Sequence, residues 1–209
     1  MASFPDQKTF TEMAGDYDAI PITRRLLSDS LTPVSAFRRI DNGRTACLFE
    51  SVIGGENVGR YSFLAIDPQV QVASFGNRVT LTEDGTSDSY HSDNPLEEIR
   101  RRINLYKVAQ FSDMPPFTGG AVGYAGYDVV RYVEDLPNAP DDDRDLPDMS
   151  FAFYDRMLVF DHITKIITVV ALAWTKKHES LDAAFEDANR RIDEMLDCLN
   201  RPETDLLCL

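Results

Sequence analysis

The sequence predicts an α+β fold, and three observations carry that prediction. Short apolar runs of strand character recur in blocks broken by Gly, Pro, Asn and Asp, as antiparallel pairing requires. Two other stretches repeat apolar residues at spacings of three and four, the period of an amphipathic helix. The helices fall between runs of strands instead of following every strand, which argues against the regular βαβ order of a parallel sheet.

The elements follow in order. Residues 21–29, PITRRLLSD, read as extended, and TPVSAFRRI (32–40) reads as a short helix with Thr32 as cap and Pro33 at its first position. TACLFESV, YSFLAI, VQVASFG and RVTLTED then predict a meander of about four strands. In NPLEEIRRRINLYK (94–107), Asn94 caps, Pro95 and Glu97 suit the first turn, and Leu96, Ile99, Ile103 and Tyr106 form the apolar stripe. A loop, SDMPPF, leads to the glycine-rich TGGAVGYAGYDVVRYVEDLP and an acidic loop (137–148). MSFAFYDRMLVFD and KIITVVALAW, joined by HIT, predict a hairpin near the sheet centre. From Ser180 onward, Leu181, Phe185, Ala188, Ile192, Met195 and Leu199 predict a helix of about five turns.

Composition narrows the function classes. Of 209 residues, 43% are hydrophobic, enough for one substantial core or two small ones. Lys and Arg number 21 against 35 Asp and Glu, a formal charge of -14 that repels phosphate, so nucleic acid and anionic membrane are not expected partners. The opening MASFPDQKTFTEM lacks the features of a secretory signal, and the run ITVVALAW is far short of the roughly 20 residues of a membrane span. Cys47, Cys198 and Cys208 are odd in number and widely spaced, which suits a reducing compartment. The expected location is therefore cytoplasmic.

Few residues carry chemistry. His91, His162 and His178 lack partners at ligand spacing, so no metal site is expected. Gly119, Gly120, Gly123 and Gly126 lie in a strand-like pattern, where glycine permits close backbone approach more readily than it cradles phosphate. Asp128 and Arg131 are spaced as a local ion pair. The adjacent Glu50 and Ser51 interrupt an apolar strand before a connector holding Gly54, Gly55 and Gly59. A carboxylate there is either at an edge, paired with a cation such as Arg60 or Arg44, or open to a cationic ligand. Both side chains can serve one ligand only if the strand ends or bulges at that point.

Three segments in order carry a resemblance. FES followed by IGGENVGRYSFLAIDP, then GGAVGYAGYDVVRYVEDLP, then LPDMSFAFYDRMLVFDH resemble blocks of the amino-terminal part of anthranilate synthase component I, across about residues 17–200. FES stands here where the family reads LES. The resemblance implies layered, mainly antiparallel β-sheets, sandwich-like, with flanking helices. It implies an amino-terminal regulatory domain over residues 1–200 and the start of a linker over 201–209. The chorismate- and Mg²⁺-binding residues would lie in a carboxy-terminal domain absent from this chain, which would hold no cofactor and be inactive alone. The implied effector is L-tryptophan, met by Glu50 and Ser51 with Tyr61 and Ser62 as further lining. The implied partners are that carboxy-terminal domain and a glutamine amidotransferase subunit. The aminodeoxychorismate synthase large subunit and a non-catalytic stand-alone binding module are the alternatives.

Overall fold

The structure, a computed structural model, describes residues 2–27, 30–50, 59–138 and 144–201. The chain opens with helix α1 (Gln7–Met13), strand β1 (Ala19–Leu27) and helix α2 (Pro33–Ile40). Strands β2 (Ala46–Phe49), β3 (Tyr61–Ile66), β4 (Val70–Phe75), β5 (Arg78–Glu83) and β6 (Thr86–His91) precede helix α3 (Leu96–Ile103). Strand β7 (Gly120–Ala125), a 3₁₀ turn (Tyr127–Tyr132), strands β8 (Met149–Tyr154), β9 (Arg156–Asp161) and β10 (Ile166–Trp174), and helix α4 (Leu181–Leu199) complete it.

These elements form two compact units. The first comprises Met1–Asp67, Lys107–Gly119 and Asp155–Leu209 and holds a five-stranded sheet in the order β1-β10-β9-β3-β2. The second comprises Pro68–Tyr106 and Gly120–Tyr154 and holds a five-stranded sheet in the order β6-β5-β4-β8-β7. Every strand pair in both sheets is antiparallel. The α+β expectation therefore holds.

In the first unit the helices cover one sheet face. Ile20 and Ile22 of β1, Val169 and Ala171 of β10, Leu158 of β9 and Leu64 of β3 alternate onto that face and pack with Ala188, Ile192 and Met195 of α4. The helix starts follow their caps. Thr32 and Ser35 form a reciprocal capping box at α2, and the Ser180 hydroxyl accepts from the Ala183 N–H (3.1 Å) at α4. The second unit has a smaller core of Val70, Val72, Val79, Ile99 and Met149.

Three expectations change. The four-strand meander divides after β3, because Asp67 adopts a positive φ of 49° and Pro68 follows without an amide donor. Thus β2 and β3 belong to the first sheet, and β4 and β5 to the second. The run MSFAFYDRMLVFD divides likewise at Asp155 into β8 and β9, so the hairpin with β10 is made by β9 alone, with β10 one strand in from the edge strand β1. Helix α3 stops at Ile103, leaving Ile103 56% and Tyr106 38% exposed. The first half of the expected stripe holds, with Ile99 buried in the second core and Leu96 packed against it, and Glu98, 9% exposed, is buried beside them and held by Arg101 (2.7 Å) and Arg102 (2.7 Å).

Candidate functional site

Strand β2 is an edge strand and ends at Phe49, which pairs with Phe63 of β3. Glu50 follows the strand end and is exposed, so the burial penalty that a core carboxylate would carry does not arise. Ser51 lies outside the described residues, as do Gly54 and Gly55. Arg60, one candidate partner for Glu50, is bound to Asp161, from Nη2 to Oδ2 at 2.7 Å and from Nε to both carboxylate oxygens at 3.2 Å.

Tyr61 and Ser62 are adjacent, and strand alternation turns them to opposite faces of β3. The Tyr61 ring lies 6.1 Å from that of Phe63, which in turn meets Phe117 edge-on at 5.9 Å. Ser62 sits on the Leu64 face, fully buried, with its hydroxyl 2.7 Å from His162 Nε2. A ligand on the Tyr61 face therefore meets Ser62 only through the strand. His162 also donates its backbone N–H to the Arg60 carbonyl (2.8 Å), so the start of β3 is tied to the end of β9 by side chain and main chain together.

On the Tyr61 face lies a cavity of about 320 Å³. Val159 of β9 and its register partner Thr168 of β10 contribute the sheet side, with Ile166 beyond them. Ser112, Asp113, Met114 and Pro115 form the opposing wall. Arg25 of β1 reaches in and donates from Nη2 to the Asp113 carbonyl (2.6 Å). Arg60 and Asp161 line it as an ion pair, with the guanidinium 4.9 Å from the Tyr61 ring centre. Burial pushes the Asp161 carboxyl up, but Arg60 and the amides of Thr164 and Ile163 outweigh it and bring it down to about 2. Asp161 is thus ionised at any physiological pH.

Sequence reasoning named Tyr61 and missed Arg25, Asp113, Asp161 and His162. Of these, only Asp161 and His162 fell inside a segment that carried the resemblance. The remaining histidines stand elsewhere: His91 is exposed, and His178 lies 3.7 Å from Asp187. Among the described residues no three His, Cys, Asp or Glu side chains gather as a metal site. No described helix is long and apolar enough to cross a membrane.

Comparison with known proteins gives this geometry its family. Residues 45–205 match the chorismate binding enzyme family. Anthranilate synthase component 1 of Acetivibrio thermocellus is 40% identical over 158 residues, covering 76% of this chain and 32% of that protein. Anthranilate synthase component 1 of Mycolicibacterium smegmatis is 30% identical over 207 residues, covering 98% of this chain and 40% of that one. The crystal structure of anthranilate synthase component I from Streptococcus pneumoniae aligns with a TM-score of 0.53 at 27% identity, over 86% of this chain and 37% of its own. The chain spans about a third of the length of the curated relatives it matches. By its three segments, its two antiparallel sheets and these matches, the chain belongs to the chorismate binding enzyme family, as an anthranilate synthase component I-type domain.

Proposed function

We propose that this chain is the amino-terminal, tryptophan-sensing part of an anthranilate synthase large subunit. In that enzyme chorismate and ammonia, the latter delivered from glutamine by an amidotransferase subunit, give anthranilate, pyruvate and water. The chorismate- and Mg²⁺-binding chemistry belongs to the roughly two thirds of the relatives' length that this chain does not match. The role of this part is regulation in the cytoplasm, through an amino-acid effector met near Glu50, Ser51 and Tyr61.

The observation that carries the reading is the end of β2 at Phe49, next to the start of β3. It leaves an exposed carboxylate at the terminus of the strand that neighbours β3, whose Tyr61 lines a cavity. A carboxylate free of its own sheet can pair with the ammonium group of an amino acid, a charge-assisted contact stronger than a neutral hydrogen bond. The aromatic ring offers the apolar surface that an indole needs.

The test has two arms. The chain alone, given chorismate, Mg²⁺ and ammonia, is expected to form no anthranilate above background. Fused to the remaining part of the Acetivibrio thermocellus subunit, it is expected to form anthranilate and to be inhibited by L-tryptophan. In that completed subunit Ser51→Phe should relieve inhibition and leave kcat unchanged. Turnover by the chain alone, or a completed subunit indifferent to L-tryptophan, would overturn the assignment.

A further inference from the structure

The turn between α2 and β2 holds Asn42 and Gly43, the only Asn-Gly pair of the sequence. An asparagine before glycine loses its side-chain amide when the glycine nitrogen attacks the side-chain carbonyl carbon. That reaction makes three demands: the Gly43 N–H gives up its proton, the Asn42 carbonyl oxygen takes negative charge, and the amide nitrogen departs as ammonia. Each of these three groups has a partner in the fold. The Gly43 N–H donates to Asp41 Oδ1 (2.9 Å). Asn42 Oδ1 accepts from the Arg44 main-chain N–H (3.0 Å). Asn42 Nδ2 donates to Asp67 Oδ1 (2.8 Å), while Arg156 holds the other Asp67 oxygen (2.5 Å).

We propose that this turn is a self-modifying site, which converts Asn42 to aspartate and isoaspartate with water as co-reactant. Asp41 is the base for the Gly43 N–H, as a positioned carboxylate can be. The Arg44 amide is the preorganised donor for the charge that develops on Asn42 Oδ1. The Asp67 carboxylate beside Nδ2 favours the protonated form in which that nitrogen leaves. In the first step the Gly43 nitrogen bonds to Asn42 Cγ, its proton passes through Asp41 to solvent, and the Cγ–Nδ2 bond breaks. Ammonia departs with a proton drawn from water and a five-membered succinimide remains. Water then opens the ring on either side of the nitrogen, so one water is consumed and one ammonia released.

The surroundings leave the reaction unobstructed. Residues 41–45 are all exposed, and a Cβ built at Gly43, whose φ is +75°, would meet nothing within 4 Å. Glycine brings no side chain of its own to shield the attacking nitrogen. Hydrogen bonds at both ends of the Asn42 amide hold it over the following peptide, which reduces the entropy lost on ring closure. The product faces Asp67 with a carboxylate in place of a donor, so the reaction also breaks the tie between this turn and Asp67.

The proposal stands apart from the effector reading and is tested on the 209-residue chain aged at neutral pH beside a synthetic peptide of residues 38–47. Peptide mapping follows the gain of one mass unit at position 42. Methyl transfer from S-adenosylmethionine by an isoaspartyl methyltransferase follows the isoaspartate. The folded chain is expected to deamidate about tenfold faster than the peptide, a modest share of what a positioned base supplies. Asp41→Asn keeps an acceptor oxygen but no base, and should remove that advantage in the folded chain while leaving the peptide rate unchanged. Arg44→Ala keeps the main-chain donor and should age as the parent does. Both variants should melt as the parent does, which separates the chemistry from a loosened turn. A folded chain that ages more slowly than the peptide would overturn the proposal. So would Asp41→Asn ageing like the parent, or isoaspartate confined to the other acid-glycine turn, Asp84 and Gly85.

Discussion

The Asp155 carboxylate is 4% exposed and receives the Trp174 indole N–H at 2.9 Å and an Arg191 N–H at 2.7 Å. Arg191, itself 11% exposed at its side chain, also donates to Asp187 (2.9 Å) and to the Leu172 carbonyl. This network ties the end of β10 to α4 at the point where β8 gives way to β9. Asp155→Ala is expected to destabilise the chain by about 1–3 kcal/mol, because it removes the carboxylate that accepts from the indole N–H and takes one acceptor from a buried guanidinium that keeps Asp187 and the Leu172 carbonyl. Trp174 is the one tryptophan of the sequence, so its emission reports the change directly. A red-shifted native spectrum and a lower melting temperature are expected in Asp155→Ala, with a smaller effect in Asp155→Asn, and unchanged melting would show that the network contributes little. None of this was legible from the residues in order. Asp155, Trp174 and Arg191 are up to 36 positions apart, and nothing local distinguishes a buried acid from a turn acid. The candidate site divides in the same way. Glu50 and Ser51 stood out because a polar pair broke an apolar run, whereas Arg25 and Asp113, 88 positions apart, meet only through the fold.

At the scale of elements, β7 depends on a glycine that the sequence pattern had read as permitting close approach. A Cβ added at Gly123 would lie 2.0 Å from the Ser150 carbonyl oxygen and 2.6 Å from the Phe151 Cα, both backbone atoms of β8. Backbone cannot rotate aside as a side chain does, so Gly123→Ala must shift one strand against the other. The expected loss is about 1–3 kcal/mol, the range for forced overpacking, and hydrogen exchange should rise in β7 and β8 before it rises in β10. Parent-like exchange in those strands would mean that the close approach relaxes at little cost. Elements with a strong local device were legible: α2 from Thr32 and Pro33, and α4 from Ser180 and a stripe in which Ala188, Ile192, Met195 and Leu199 are all buried. Strand β6, TSDSYH, was not, because all six residues are exposed and it is held by its ladder and by the Thr80–Ser89 and Thr82–Ser87 hydroxyl pairs. The division between sheets at Asp67 was invisible for a different reason. An Asp-Pro turn reads the same whether the next strand returns to its neighbour or starts another sheet.

For the whole molecule, two electrostatic effects of opposite sign set the dependence of stability on pH. The net charge of -14 is self-repulsive at neutral pH and falls away toward the isoelectric point near 4.5. Acting the other way, Glu98, Asp161 and Asp187 are each partly desolvated, which raises them, and each is pulled below its ordinary value by its arginine partners. A carboxyl depressed in the folded state contributes stability that is present above its unfolded value and lost as pH falls through its folded value. For Asp161 that window runs from the ordinary 3.8 down to about 2. Melting at low ionic strength should therefore be no lower at about pH 5 than at about pH 7, and should fall steeply below about pH 4. Added salt should erase the difference between the two higher values by screening the net charge, and should leave the acid limb in place, because partly buried pairs are screened less. Asp161→Asn removes one contributor and should flatten the acid limb while leaving the neutral side unchanged in shape. A parent chain whose melting temperature keeps rising to pH 3 would show that self-repulsion, and not the paired carboxylates, governs the acid response.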